Sequence, residues 1–389
     1  MTTAAVQANG PRRRPRDRKQ QILVAARDLF AEHGYPSVTM AQIAERVGIT
    51  AGALYRHFSN KAVMLEEVVN ENFAVLHERN SFLDYTMAVD SAIARLADRP
   101  YLADFWAHEL RYLAPEHAAD IRRRMSAYSE SFLPALQQRR SDLDPGQQRM
   151  VVWAMQSLLS GLGRRALHLP VATRLPIVRA ALLALPEARL APTGPEVVPR
   201  QSFLPVVSMR ERLLQAAMEQ FAQRGYQEAT MASIAAMADV TGPNIYGYFA
   251  SKADLLRAVT ERGTHGLWLG LHQIFAEAAS PEEAMRLLVV NYSELVGPWA
   301  IVLEEPSDED DVQQARRSVQ REYVAEWEAL LQQCLPEVDA QTVRVRVQLA
   351  LFLITDLRRM PSLRRRENFE TNLVEVIMTI LLDPVAPSA

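Results

Sequence analysis

Two nine-residue stretches carry the side chains best suited to chemistry in this 389-residue chain: Thr50-Ala51-Gly52-Ala53-Leu54-Tyr55-Arg56-His57-Phe58 and Thr241-Gly242-Pro243-Asn244-Ile245-Tyr246-Gly247-Tyr248-Phe249. Leu54 and Phe58 lie four apart and share one face of a helix, which leaves Ala51, Gly52, Tyr55 and Arg56 on the other. Small residues on that outer face allow close approach to a surface, and longer polar ones reach phosphates and base edges in a major groove. Gly52 is unfavourable in a free helix, and a closely approaching duplex would explain it. Tyr55 and His57 can donate to phosphate oxygens, and Lys61, opening the next helix, adds a charge-assisted contact. In the second stretch Asn244 is the one amide placed to read a base, with adenine as its match. Thr241, Gly242, Pro243, Tyr246, Tyr248 and Lys252 complete that set.

These residues need elements to hold them. Ile22, Ala26, Leu29 and Phe30 form one apolar face of a helix that ends at Gly34, which suits a left-handed terminus. Thr39-Met40-Ala41-Gln42 reads as a capping box opening a short helix, Ala41 to Val47, with Ile43, Ala44 and Val47 inward. Gly48 permits a tight turn, and Thr50 is the N-cap of a third helix, Ala51 to Phe58. Two short helices joined by a glycine turn behind a supporting helix make a helix-turn-helix. Thr230 and Thr241 take the capping positions in the second copy. There Asp239 replaces the turn glycine, which aspartate tolerates better than most residues, and Pro243 sits in a first turn, where its missing N–H costs nothing.

The two copies align without a gap at an offset of 191 residues, from Leu23, Ala26, Phe30, Gly34 and Tyr35 against Leu214, Ala217, Phe221, Gly225 and Tyr226 to Lys61 and Leu65 against Lys252 and Leu256. The match fades afterwards but survives as Asp142-Leu143-Asp144 against Glu337-Val338-Asp339, so whole domains are duplicated. Between them Glu187 to Ser208 holds Pro192, Pro195, Pro199 and Pro205 with Gly194, and reads as a linker able to span up to about 70 Å when extended. Elsewhere apolar residues recur at helical steps, as in Val347, Leu351, Ile354 and Leu357, and alternating strand patterns are absent. The expected class is all-α.

The pattern Ala25-Ala26, Leu29-Phe30, Gly34-Tyr35, Thr39, Ile43-Ala44, Val47-Gly48-Ile49-Thr50, Gly52, Leu54-Tyr55, His57-Phe58, Lys61 and Leu65 resembles the DNA-binding domain of the TetR family of transcriptional repressors, and the second copy carries it too. The resemblance implies, behind each such domain, a helical domain that binds a small ligand and pairs with a partner through its last two helices, with ligand-driven release from operator DNA. The division follows: a basic arm at 1–17, helix-turn-helix domains at 18–66 and 209–257, ligand-binding and dimerisation domains at 67–186 and 258–384, and the linker at 187–208. A chain with two copies is most simply a covalent pseudo-dimer, alone or paired into a further homodimer, reading an imperfect palindrome or an asymmetric operator. Pro145 to Leu167 with Val171 to Leu185, and Ala340 to Met360 with Arg366 to Leu382, are the expected interface helices.

Net charge is −3, yet between Pro11 and Ala62 ten basic residues face four acidic ones, an asymmetry that points to an anion partner. Arg12, Arg13, Arg14 and Arg16 form an arm that could follow a minor groove or the backbone, or be a basic tail giving only nonspecific attraction. From Met209 to Ala253 charges roughly cancel and Gly247 stands where Arg56 stood, so the second module should bind more weakly and read a different half-site. Candidate effector-lining residues are Phe105, Trp106, His108, Tyr112, Tyr128, Phe132 and Trp153, and in the second half Trp268, His272, Phe275, Tyr292, Trp299 and Trp327; most aromatic residues at helical spacing are core. An apolar, lipid- or sterol-like effector is expected.

Cys334 is the only cysteine, the eight histidines are scattered without a ligand-type pair, and no phosphate loop, nucleophile elbow or dinucleotide fingerprint occurs. Neither a metal, a cofactor nor an enzymatic activity is therefore expected; the lone cysteine fits a reducing cytosol, and with no long apolar segment a soluble cytoplasmic protein is expected. Two alternatives stand beside a two-module regulator. In one, only the first module reads DNA while the second serves as built-in dimerisation partner; in the other, the chain is a ligand-scavenging or interaction protein with degenerate modules. Arg56, His57, Lys61 and the arm count against the last.

Overall fold

A computed structural model describes residues 15–96, 105, 109–162, 169–197, 206–296 and 310–382. In chain order its helices are α1 (Pro15–His33), α2 (Met40–Val47), α3 (Ala51–Tyr55), α4 (Lys61–Asn72), α5 (Tyr85–Leu96), α6 (Pro115–Glu130), α7 (Leu133–Arg139), α8 (Pro145–Gly161) and α9 (Val171–Ala184). After the linker come α10 (Met209–Glu228), α11 (Met231–Met237), α12 (Gly242–Ile245), α13 (Lys252–Glu277), α14 (Pro281–Val296), α15 (Asp310–Cys334), α16 (Ala340–Arg358), α17 (Pro361–Arg364) and α18 (Phe369–Leu382). Among the described residues no strand forms beyond one antiparallel bridge, Glu196 with Arg366. The class is all-α, as the periodicity predicts.

The chain divides into two compact units, Met1–Ala74 with Asp104–Ile121, and Val75–Ala103 with Arg122–Ala389. In the first, α1 packs on α2 and α4. The buried face of Ile22, Ala26, Leu29 and Phe30 shares a core with Ile43, Ala44, Leu54, Phe58, Met64 and Leu65. The second unit contains the other copy of this core, built from Leu213, Leu214, Ala217, Phe221, Ile234, Ala235, Ile245, Phe249, Leu255 and Leu256. Gly34 ends α1 at φ 77°, and Gly225, its counterpart, bends α10 at φ 81°. The copies part company after the third helix: α4 runs 12 residues, α13 runs 26.

Within the second unit α8 lies along α16, while α9 touches both α16 and α18. Both long helices start on an aspartate: Asp144 accepts from the N–H groups of Gly146 and Gln147, Asp339 from those of Gln341 and Thr342. This shared cap confirms the fainter part of the repeat register. At the crossing Ser157 donates to Asp356 at 2.5 Å. A Cβ placed on Gly161 would come within 2.7 Å of the Leu349 side chain, so the missing side chain is what lets the helices approach. Gly161 ends α8 with Leu162 as its cap, and residues 163–167 of the expected longer helix lie outside the described residues.

The first half of the proline-rich linker is no loose tether. Residues 188–197 run as an extended strap over the ends of these helices. Gln147 of α8 donates to the carbonyls of Leu190 and Ala191, and Asp144 accepts from the Thr193 N–H at 2.7 Å. From the other side Asn372 of α18 pairs with Ala191 through both N–H and carbonyl, Asn368 donates to the Pro192 carbonyl, and Val197 N–H meets the Arg365 carbonyl. Thr193 sits against Gly146, and Gly194 against Glu367, so closely that neither glycine has room for a side chain. The freely extended spacer that composition suggests is thus replaced, up to Val197, by a segment whose backbone polar groups are satisfied by both halves of the chain.

Candidate nucleic-acid interface

Local sequence builds the first recognition surface. Thr39 caps α2 reciprocally: its hydroxyl accepts from Gln42 N–H at 3.3 Å and the Gln42 side chain accepts from Thr39 N–H at 2.7 Å. Gly48 turns the chain at φ 70°, and Thr50 caps α3 by accepting from Ala53 N–H at 3.2 Å. The regular helix stops at Tyr55, three residues sooner than the spacing predicts, and the backbone continues as a turn in which Phe58 N–H still reaches Leu54 O. Leu54 and Phe58 are therefore buried as expected, and Ala51, Gly52, Tyr55, Arg56 and His57 are exposed, with Ala53 half-buried. Tyr55 is 53% exposed, a large amount for an aromatic side chain with no packing role on the outside of a domain.

The second surface is built alike with different materials. Thr230 and Ser233 exchange hydrogen bonds at 3.1 Å each way. Asp239 takes the turn at φ 57°, the left-handed region its glycine counterpart occupies. Pro243 lies in the first turn of the four-residue α12, and Thr241, in contrast to Thr50, makes no side-chain cap. Asn244, Tyr246, Gly247 and Tyr248 are exposed while Ile245 and Phe249 are buried. Tyr246, at 58%, matches Tyr55.

Two expected phosphate ligands are turned elsewhere. The Lys61 ammonium donates to the carbonyls of Tyr35, Pro36 and Val38 at 2.8, 3.2 and 2.8 Å and lies 4.3 Å from the Tyr35 ring centre. Lys252 does the same in the other module, reaching Tyr226 O at 2.7 Å and Ala229 O at 3.0 Å over the Tyr226 ring. Each lysine ties the segment just after the glycine bend of the first helix to the start of the fourth, its ammonium supplying donors to backbone carbonyls there. Burial lowers the Lys61 pKa, and Glu109 partly restores it. Glu109, which sequence reasoning missed, is buried and accepts from Tyr35 N–H at 3.3 Å, while Tyr112 packs on the Tyr35 ring at 5.3 Å.

Of the basic arm, Arg12, Arg13 and Arg14 lie outside the described residues, and Arg16 falls in the first turn of α1. Trp106, His108 and Trp299 among the effector candidates are likewise outside. Phe105, Tyr128 and Phe132 are fully buried, with Tyr128 edge-on to Phe132 at 5.3 Å, and Trp153 is half-buried. In the second half Trp268, Tyr292 and Trp327 gather around Tyr323, a residue the sequence reading passed over: Trp268 meets Tyr323 at 5.9 Å and Tyr292 stacks on it at 6.3 Å. Burial pushes the Tyr323 hydroxyl up to about 12, offset by the Trp327 indole and Asn291 amide beside it. The buried polar atoms of these three side chains do not reach hydrogen-bond geometry. Phe275 and His272 instead face outward, since α13 offers solvent one whole side.

Among the described residues no helix is long and apolar enough to cross a membrane, and no group of three or more potential metal ligands occurs. The family described as bacterial regulatory proteins, tetR family, matches residues 22–68 and again 213–259. The HTH-type transcriptional repressor KstR2 of Mycolicibacterium smegmatis is 32% identical over 29% of this chain and 53% of its own length. The repressor AcnR of Corynebacterium jeikeium is 33% identical over 23% of the chain and 46% of its own, and the activator FasR of Mycolicibacterium smegmatis 30% over 41% and 62%. The chain spans about half the length of the curated relatives it matches.

Proposed function

From the premise that this chain carries two TetR-type units in tandem, we propose that it is a transcriptional regulator and not an enzyme, a repressor that reads one operator with two unlike modules and is released by a small apolar effector. The observation that carries this reading is the pair of exposed faces: both modules bury the inward residues of the third helix and leave a tyrosine and small or polar neighbours uncovered. Such a surface has a use only against a partner, and its shape suits a major groove. Arg56 and His57 supply phosphate contacts in the first module; Asn244 with Tyr246 and Tyr248 serves the second. The two half-sites would be about one helical turn, roughly 34 Å, apart or somewhat more.

The packing of α8 and α9 on α16 and α18 supports an intramolecular pair in place of a homodimer. An effector would be uncharged and largely apolar, since the cluster of Trp268, Tyr292, Tyr323 and Trp327 offers aromatic surface and hydrogen-bond donors. KstR2 and AcnR are repressors, FasR an activator, and the repressor reading follows the first two. A reporter fused to the bound promoter decides the sign, because deletion of the regulator raises expression only under repression.

The test is footprinting of the chain's own upstream region with Tyr55→Ala and Tyr246→Ala. Each substitution should clear protection from one half of the footprint. Unchanged protection with Tyr246→Ala would favour the reading in which the first module alone grips DNA, a reading that the exchange of Arg56 for Gly247 supports.

A further inference from the structure

The second recognition surface has a hollow where the first has charge. Met209, Val240, Pro243, Asn244, Gly247 and Tyr248 line an open notch beside α12, and none of them is charged. At the matching positions the first module has Arg18, Ile49, Gly52, Ala53, Arg56 and His57. Gly247 keeps the notch open, because its missing side chain stands where Arg56 projects. The Asn244 amide borders the notch, is exposed, and has no hydrogen-bond partner among the described residues.

No residue lining this notch offers a phosphate a cation, although Arg210 lies nearby over the Phe249 ring, so the DNA backbone is the poorer occupant. A carboxamide presents one donor and one acceptor in a plane, the complement of adenine N6 and N7, and an uncharged hollow beside it matches the one apolar group in the major groove, the thymine C5-methyl. We propose that Asn244 and this notch read adjacent adenine and thymine bases, making the second half-site an A·T element recognised partly through a methyl group. The proposal rests on the DNA-binding reading above and adds to it which bases the second module selects. It also accounts for the loss of charge: a module that reads by fit needs fewer phosphate contacts.

The experiment uses the full chain. Duplexes selected from a random-sequence pool are measured with single thymine-to-deoxyuridine replacements, which remove only the methyl, and with 7-deazaadenine, which removes only N7. In one half-site, one deoxyuridine should weaken binding about fourfold, the worth of a methyl-sized group, and one 7-deazaadenine about tenfold. Gly247→Leu should abolish the first effect and Asn244→Ala the second. Gly247 tolerates a side chain, since an added Cβ would meet nothing nearer than the Asn244 carbonyl at 3.4 Å. A G·C-rich second half-site, tolerance of deoxyuridine throughout, or a selected site with a single half overturns the proposal and leaves a DNA-binding regulator standing. Selection of no duplex at all would remove the DNA-binding reading itself.

Discussion

Lys61 and Lys252 direct their charge at carbonyls of their own module, and this separates two kinds of basic residue on the same surface. Replacing Lys61 by Met removes donors from three carbonyls and should destabilise the first module by about 1–2 kcal/mol, visible as a lower Tm, while the salt dependence of DNA binding stays as it was. Arg56→Ala should do the opposite, leaving Tm in place and reducing the slope of log K against log salt by about one. A matching change of slope with Lys61→Met would restore that lysine as a phosphate ligand. Thr39→Ala removes half of a reciprocal cap and should cost about 1 kcal/mol, read in thermal unfolding. The inward and outward positions of the third helix were legible because their signals are local: a cap three residues from its partner, a turn glycine, two apolar residues four apart. The lysines' intramolecular partners were not legible, because chain neighbours do not reveal carbonyls that lie 23 to 26 positions away.

Elements proved legible in proportion to how far they depend on themselves. The helix-turn-helix units follow from period and punctuation, and even Asp239 in the left-handed region was readable from its side-chain type. The strap was not, because proline and glycine announce only the absence of helix, while its partners Asn368 and Asn372 lie more than 170 residues on. Tyr323 could have been found: it precedes Trp327 by one helical turn and Leu330 and Leu331 by two. Burial raises the Asp144 carboxyl, but the N–H groups of Thr193, Gln147 and Gly146 more than offset this and hold it below the ordinary aspartate value. A carboxylate with a depressed folded-state pKa stabilises above its unfolded value and loses that contribution as pH falls through the folded one. The protection of the Thr193 amide, its exchange measured against an unstructured amide at the same pH, should therefore fall on acidification below about pH 4, where unfolded aspartate is about half protonated. Asp144→Asn should show fast exchange already at neutral pH; unaltered exchange in that variant would mean that the carboxylate does not hold the strap.

Across the whole molecule, the duplicated halves meet through helices that no longer match. Gly161→Val should force Leu349 aside and lower stability by about 1–3 kcal/mol without altering either recognition surface, which chemical denaturation and operator binding together would reveal. In the register set by Asp144 and Asp339, Gly161 corresponds to Asp356, Ser157 to Phe352 and Ala154 to Leu349. Two first halves joined face to face would leave alanine where glycine requires leucine, a gap worth about 2–5 kcal/mol at each of two places. Two second halves would press an aspartate against leucine and phenylalanine with no serine to receive it. Each half has thus become a specialist in its unlike sibling, and return to life as a separate gene whose product pairs with itself would require several simultaneous changes. On the proposed reading, a seam between unlike halves works as a one-way gate, and an operator read by such a pair needs no symmetry of its own.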